Sequence, residues 1–141
     1  MAEDDEDDYL LSKDAFERCC PGIELLWVRD GEELMDYLNR RGSFNNGEKF
    51  PMPALILLDL NMPRKDGREA LREIKADPRL RSLPVVILTT SNAEEEIARA
   101  YDSGANTFIR KPVGFDQFVD LMTGINHYWL KLARLPVVQD S

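Results

Sequence analysis

Two short, unbroken apolar runs stand out along the chain, Ala54 to Leu58 and Val85 to Leu88. Neither alternates with polar residues, which is the pattern of strands buried on both faces of a parallel sheet. Leu25 to Val28 forms a weaker run, and Phe108 with Ile109 a fourth. Between them apolar residues recur at helical spacing: Leu34, Met35 and Leu38 within residues 32–40, and Ala70, Leu71 and Ile74 within residues 68–76. A further helix over residues 92–103 opens at Ser91 or Asn92 as N-cap and stops before Gly104, a residue suited to the left-handed position after a helix. A last helix is predicted over residues 115–133, with a stripe of Phe115, Phe118, Val119, Met122, Ile125, Trp129 and Leu132. The polar stretch 42–53, with Asn45, Asn46, Gly47, Pro51 and Pro53, reads as an extended loop. Strand and helix alternate throughout, which implies an α/β fold with right-handed crossovers. The expected organisation is one domain over residues 1–133 and a loose tail over 134–141.

Polar groups collect where these strands end. Asp59 closes one strand, Thr89 the next, and Lys111 follows Phe108 to Arg110. The acidic pair Glu3 and Asp4 stands where a first strand would end. Ligands of open parallel sheets bind at the carboxyl ends of strands, so these residues are predicted to converge. Carboxylates with a nearby carbonyl make an oxygen site for Mg²⁺. A carboxylate can attack phosphorus to form an aspartyl phosphate, while a lysine and a hydroxyl stabilise the transferred oxygens. Each residue also has an ordinary explanation: Asp59 as a turn residue, Asp4 in a solvated acidic run, Thr89 as a β-branched strand residue, Lys111 as a surface cation. Their joint placement at strand ends favours the chemical reading.

Composition narrows the partners. The chain has 141 residues, 18 basic against 26 acidic, and a net charge of -8, which disfavours binding to nucleic acid. No apolar run reaches membrane-spanning length, and the acidic start is unlike a secretory signal, so a cytoplasmic location is expected, with no membrane contact. Cys19 and Cys20 are adjacent, and two reduced thiols near a helix end are expected. The single histidine, His127, reads as a surface residue.

The combined residues resemble the receiver domains of bacterial response regulators. The matching pieces are Glu3 to Asp5, Leu57 to Pro63, Asp66-Gly67, Leu83 to Ser91, Gly104-Ala105 and Lys111-Pro112. A narrower likeness, to the single-domain regulators paired with bacterial phytochromes, rests on the long loop before Ala54, residues 61–67 and 88–91, and the ending with Phe115 to Phe118, Tyr128 and Trp129. The resemblance implies a flavodoxin-like, doubly wound five-stranded parallel sheet in the order 2-1-3-4-5 with five helices. It implies Asp59 as phosphoacceptor from a sensor histidine kinase, and Mg²⁺ held by Asp4, Asp59, the backbone carbonyl of Asn61 and, through water, Glu3. It implies Thr89 and Lys111 as the groups that meet the phosphoryl oxygens, Pro112 after a cis peptide, and Phe108 with Thr89 as the switch. A first strand should precede Glu3, yet only Met1 and Ala2 stand there; the expectation is that residues upstream of Met1 were omitted or that the start is truncated, since a missing central strand would expose a gap in the core. The widened apolar face with Leu121, Tyr128 and Trp129 suggests a homodimer through the final helix.

The chain is not expected to be an enzyme on external substrates. Haloacid-dehalogenase-like phosphatases need a second aspartate two residues after the first, and Asn61 stands there. A flavin-binding module is disfavoured by the acidic residues 3–8, which repel phosphate. A degenerate receiver that only binds partners is the alternative.

Overall fold

A computed structural model describes residues 1–138. Helix α1 (Glu6–Cys19) begins at Asp5, whose carboxylate accepts from the Asp7 and Asp8 amides. The acidic first turn Glu6, Asp7 and Asp8 complements the positive end of the helix. Helix α2 (Gly31–Leu38) is capped by Asp30, and α3 (Gly67–Ala76) by Asp66; each cap accepts from an amide three residues on. The strands are β1 (Ile56–Leu58), β2 (Val85–Thr89) and β3 (Thr107–Arg110), paired in parallel in that order. The register sets Leu58 against Ile87, Ile87 against Phe108, and Thr89 against Arg110. Helices α4 (Glu94–Asp102) and α5 (Phe115–Ile125) complete the crossovers.

The strands divide the core by period two. Ile56, Leu58, Val85 and Ile87 face one cluster with Leu34, Leu38, Leu71, Ile74 and Ala100 from α2, α3 and α4. Leu57, Val86 and Leu88 face the other, with Ala15 and Phe16 of α1 and Phe118, Met122 and Ile125 of α5. Two buried faces explain why the strand runs are apolar without alternation.

Several expectations need correction. Among the described residues the sheet has three strands, not five. The expected gap at the centre holds Ala2, which bridges Val28 on one side and Leu58 on the other, both in parallel. The Ala2 amide donates to Leu57 (2.8 Å), its carbonyl accepts from Asp59 (3.1 Å), and the Glu3 amide donates to Val28 (3.0 Å). The Leu25 to Val28 run therefore contributes one bridging residue, Val28, and no strand. The strand expected from Ala54 starts at Ile56, after the Pro51 and Pro53 segment, where ladder donors are missing. The α4 N-cap is Ala93, without a side-chain bond, because Ser91 and Asn92 lie further from the first turn.

The last helix changes pitch: α5 ends at Ile125, and residues Asn126–Leu132 continue as a π-helix. In the tail Val138 packs against the α2/α3 cluster while Val137 is 90% exposed, and residues 139–141 lie outside the described ones. Cys19 and Cys20, expected as thiols, are joined as a disulfide at the end of α1. Gly104 meets expectation, with φ +104° just past α4.

Gly67 fixes how closely α3 approaches β1. A Cβ there would overlap the Asp59 carbonyl oxygen and sit 2.8 Å from Leu60 Cα. Both obstacles are backbone and cannot rotate away. Gly67→Ala is expected to cost about 2–3 kcal/mol, read as a lower urea midpoint with an unchanged slope.

Candidate functional site

The site is built at the carboxyl end of the sheet. Glu3 follows the Ala2 bridge, Asp59 follows β1, Thr89 ends β2, and Lys111 follows β3. The sheet register brings together residues separated by up to 108 positions, because the parallel strands all point the same way. Glu3, Asp59 and Thr89 are all buried, and the Lys111 side chain is 7% exposed.

Carboxylate oxygens of Glu3, Asp4 and Asp59 lie within 4.8 Å of one another. Such a convergence of hard oxygen donors fits a divalent cation. The Lys111 ammonium answers part of that charge: it pairs with Glu3, donates to Asp59 Oδ2 at 3.1 Å, and donates to Asp8 Oδ2 at 2.8 Å. The Glu3 carboxyl is pushed up to about 8, first by burial and then by its hydrogen bond with Asp59, with Lys111 opposing. Burial works against the Lys111 ammonium, but hydrogen bonds to Asp8 and Glu3 and the charges of Asp59 and Glu3 outweigh it, holding its pKa above the ordinary lysine value. The cluster therefore has more negative charge than one ammonium neutralises.

Thr89 adds a second observation at this end of the sheet. Its Oγ1 is the one fully buried side-chain polar atom without a hydrogen-bond partner among the described residues. Buried hydroxyls are normally paired, and leaving one unpaired costs about 1–3 kcal/mol. Thr89 ends β2 at the same edge of the sheet where Asp59 follows β1.

The other expected residues are placed less directly. The Asn61 amide donates to Asp59 Oδ1 at 3.3 Å, and its side-chain oxygen accepts from Arg68 at 3.4 Å. Phe108 is half-buried against the α2/α3 cluster, and its amide donates to the Tyr101 hydroxyl at 3.1 Å. No peptide among the described residues is cis, so Pro112 follows an ordinary trans bond and not the cis bond implied by the resemblance. His127 is exposed, as expected.

Three contributors were missed in the sequence. Asp8 reaches Lys111 from the first turn of α1, and in the sequence it was one of an undivided acidic run, residues 3–8. Trp27 donates from Nε1 to the Glu3 carbonyl at 2.8 Å and stacks on Tyr9 with ring centroids 4.1 Å apart. Arg68 pairs with Glu96, joining α3 to α4 beside Asn61. Nothing in the local sequence marked these last two, since each depends on elements distant in the chain.

Comparison with known proteins finds relatives over most of the chain. The model of the response regulator receiver domain matches residues 1–123. Response regulator Rcp1 of Synechocystis sp. is 38% identical over 136 residues, covering 96% of this chain and 90% of Rcp1. The crystal structure of the phosphorylated cyanobacterial phytochrome response regulator RcpA is 43% identical, with a TM-score of 0.89, over 96% of this chain and 95% of RcpA. The Mn²⁺-bound form of Rcp1 superposes with a TM-score of 0.86 at 38% identity, over 96% of both chains.

Proposed function

We propose, for a chain that belongs to the response regulator receiver domain family, that Asp59 takes a phosphoryl group from a phosphohistidine of a sensor kinase. The observation that carries this reading is the convergence of Glu3, Asp4, Asp59 and Lys111 on one point, beside a buried hydroxyl that lacks a partner. An Asp59 carboxylate oxygen forms the new bond to phosphorus, the phosphorus–nitrogen bond breaks, and the histidine ring keeps the electron pair. Lys111, already 3.1 Å from Asp59, stays beside the transferred oxygens, and Thr89 donates its free hydrogen bond to one of them. Glu3, Asp4 and Asp59, with the Asn61 carbonyl, would hold Mg²⁺, which neutralises charge on the phosphoryl oxygens when bound. The acidic cluster and the metal-bound state of Rcp1 support a divalent cation at this place. The likeness to the phytochrome response regulator RcpA favours a phytochrome-type kinase as the partner.

The output is a switch and not turnover of an external substrate. With Thr89 drawn to the phosphoryl group, Phe108 turns from its half-buried position into the space released. Intact-mass analysis after incubation with acetyl phosphate tests this. One added phosphoryl group that requires Mg²⁺ supports the reading. No addition to folded protein sinks it, and leaves a module that binds partners without phosphorylation.

Dimerisation belongs to the same proposal. An open groove of about 540 Å³ lies between β3 and the last helix, lined by Ile109, Leu121, Ile125, Tyr128 and Trp129. Tyr128 is 56% exposed there. A second copy packed on this face would cover it. Leu121→Asp is expected to shift a concentration-dependent dimer to monomer in sedimentation; a wild type that stays monomeric at high concentration, phosphorylated or not, removes the dimer.

A further inference from the structure

The Lys111 ammonium spends all three of its hydrogens on carboxylates: Glu3, Asp59 and Asp8. The first two belong to the metal and phosphoryl chemistry already described. Asp8 does not. Its carboxylate lies outside the group of three that converge within 4.8 Å, and it comes from α1, not from a strand end. It is also held firmly. The Asp8 amide donates to the Asp5 cap at 3.3 Å, and its carbonyl accepts from the buried Ser12 hydroxyl at 2.9 Å. Asp8 therefore projects from a fixed turn toward an ammonium that is almost enclosed.

We propose that Asp8 is a positioning residue, the fixed leg of a tripod that aims the Lys111 ammonium at the phosphoryl group on Asp59. This rests on the phosphoacceptor reading of Asp59. A lysine side chain has four rotatable carbons and a freely turning head, so its aim is set by its partners. Phosphorylation changes the Asp59 partner from a carboxylate to a phosphoryl oxygen, and a cation at the site draws on Glu3. Asp8 is the one partner that neither event alters. It keeps one hydrogen of the ammonium engaged and leaves the other two directed at the site.

A plain electrostatic role gives the opposite sign. If Asp8 merely neutralised Lys111, its removal would free the ammonium, strengthen attraction for the phosphoryl donor and raise the rate. The positioning role predicts a fall. The experiment measures phosphoryl gain from acetyl phosphate by intact mass across a Mg²⁺ titration, for wild type, Asp8→Ala and Asp8→Glu, with thermal melts of each. The expected result is a maximal rate about ten-fold lower in Asp8→Ala, the size of one lost charge-assisted hydrogen bond. Asp8→Glu recovers most of it, and the half-saturating Mg²⁺ concentration moves by less than about three-fold, because the carboxylates around the cation are intact. An unchanged or raised maximal rate in folded Asp8→Ala overturns the role of Asp8. So does a fall that Asp8→Glu fails to rescue. A wild type that never gains a phosphoryl group overturns the phosphoacceptor reading itself, and this one with it.

Discussion

Asp59→Asn is expected to lose all phosphoryl gain while becoming more stable in the absence of metal. The first effect follows from the chemistry: an amide oxygen is too weak a nucleophile to take the group, and no other carboxylate replaces it beside both Lys111 and Thr89. The second follows from crowding. Glu3, Asp4 and Asp59 bring their oxygens within 4.8 Å of one another, and Lys111 is the ammonium bonded to two of them. Removing one charge relieves its repulsion with Asp4, and Lys111 retains Glu3 and Asp8. A gain of about 1 kcal/mol is expected, or roughly 3–5 °C in melting temperature. Melting curves with and without Mg²⁺ separate the two states, and the cation should stabilise the variant less than the wild type. A lower melting temperature of the metal-free variant would mean that the Lys111–Asp59 pair outweighs the repulsion.

Cation affinity should depend steeply on pH. Burial and the hydrogen bond with Asp59 push the Glu3 carboxyl up to about 8, so below that pH the metal-free protein holds a proton there. A cation needs the carboxylate, so each binding event in that range releases one proton. Affinity for Mg²⁺ should therefore fall about ten-fold for each pH unit below 8 and level off above it. At pH 6 the dissociation constant should be about 100-fold higher than at pH 8. Calorimetry in two buffers of different ionisation heat would detect the proton directly. The same shift has a sign for folding. A carboxyl whose pKa is raised in the folded state stabilises fully below its ordinary value near 4.5. That contribution is lost as pH rises toward 8. Lys111 does not add to the slope, because its raised pKa affects stability only above the ordinary lysine range. Glu3→Gln should flatten both the binding curve and its part of the stability curve; an unaltered binding profile would remove Glu3 from the titration.

Much of this site was readable from the chain because strand ends are readable. Apolar runs bounded by Asp59 and Thr89 set two of the positions, and the alternation of strand and helix set their common edge. What could not be read was the pairing at the centre of the sheet. A strand is recognised by its length, and Ala2 alone leaves no pattern, yet its amide and carbonyl bond to Leu57 and Asp59 and place Glu3 in the site. The π-helix at Asn126–Leu132 was hidden for a related reason, since its apolar positions fit ordinary helical spacing until the turn widens. Asp8 was concealed within an acidic run whose members act in different places. Glu3 and Asp4 face the cation site, Asp5 caps α1, and Asp8 holds Lys111. Composition treats such residues as alike, and only the fold separates them.

The unpaired Thr89 hydroxyl sets a scale for the signal. If the phosphoryl group supplies the bond that Oγ1 lacks, the contrast between resting and active shapes from that contact is the cost of the missing bond, about 1–3 kcal/mol. That is a population ratio of roughly 5- to 150-fold. A partner sensing only this movement would see a graded bias and not an absolute command. A sharper response would have to come from the partner's own assembly, for instance from two copies read together.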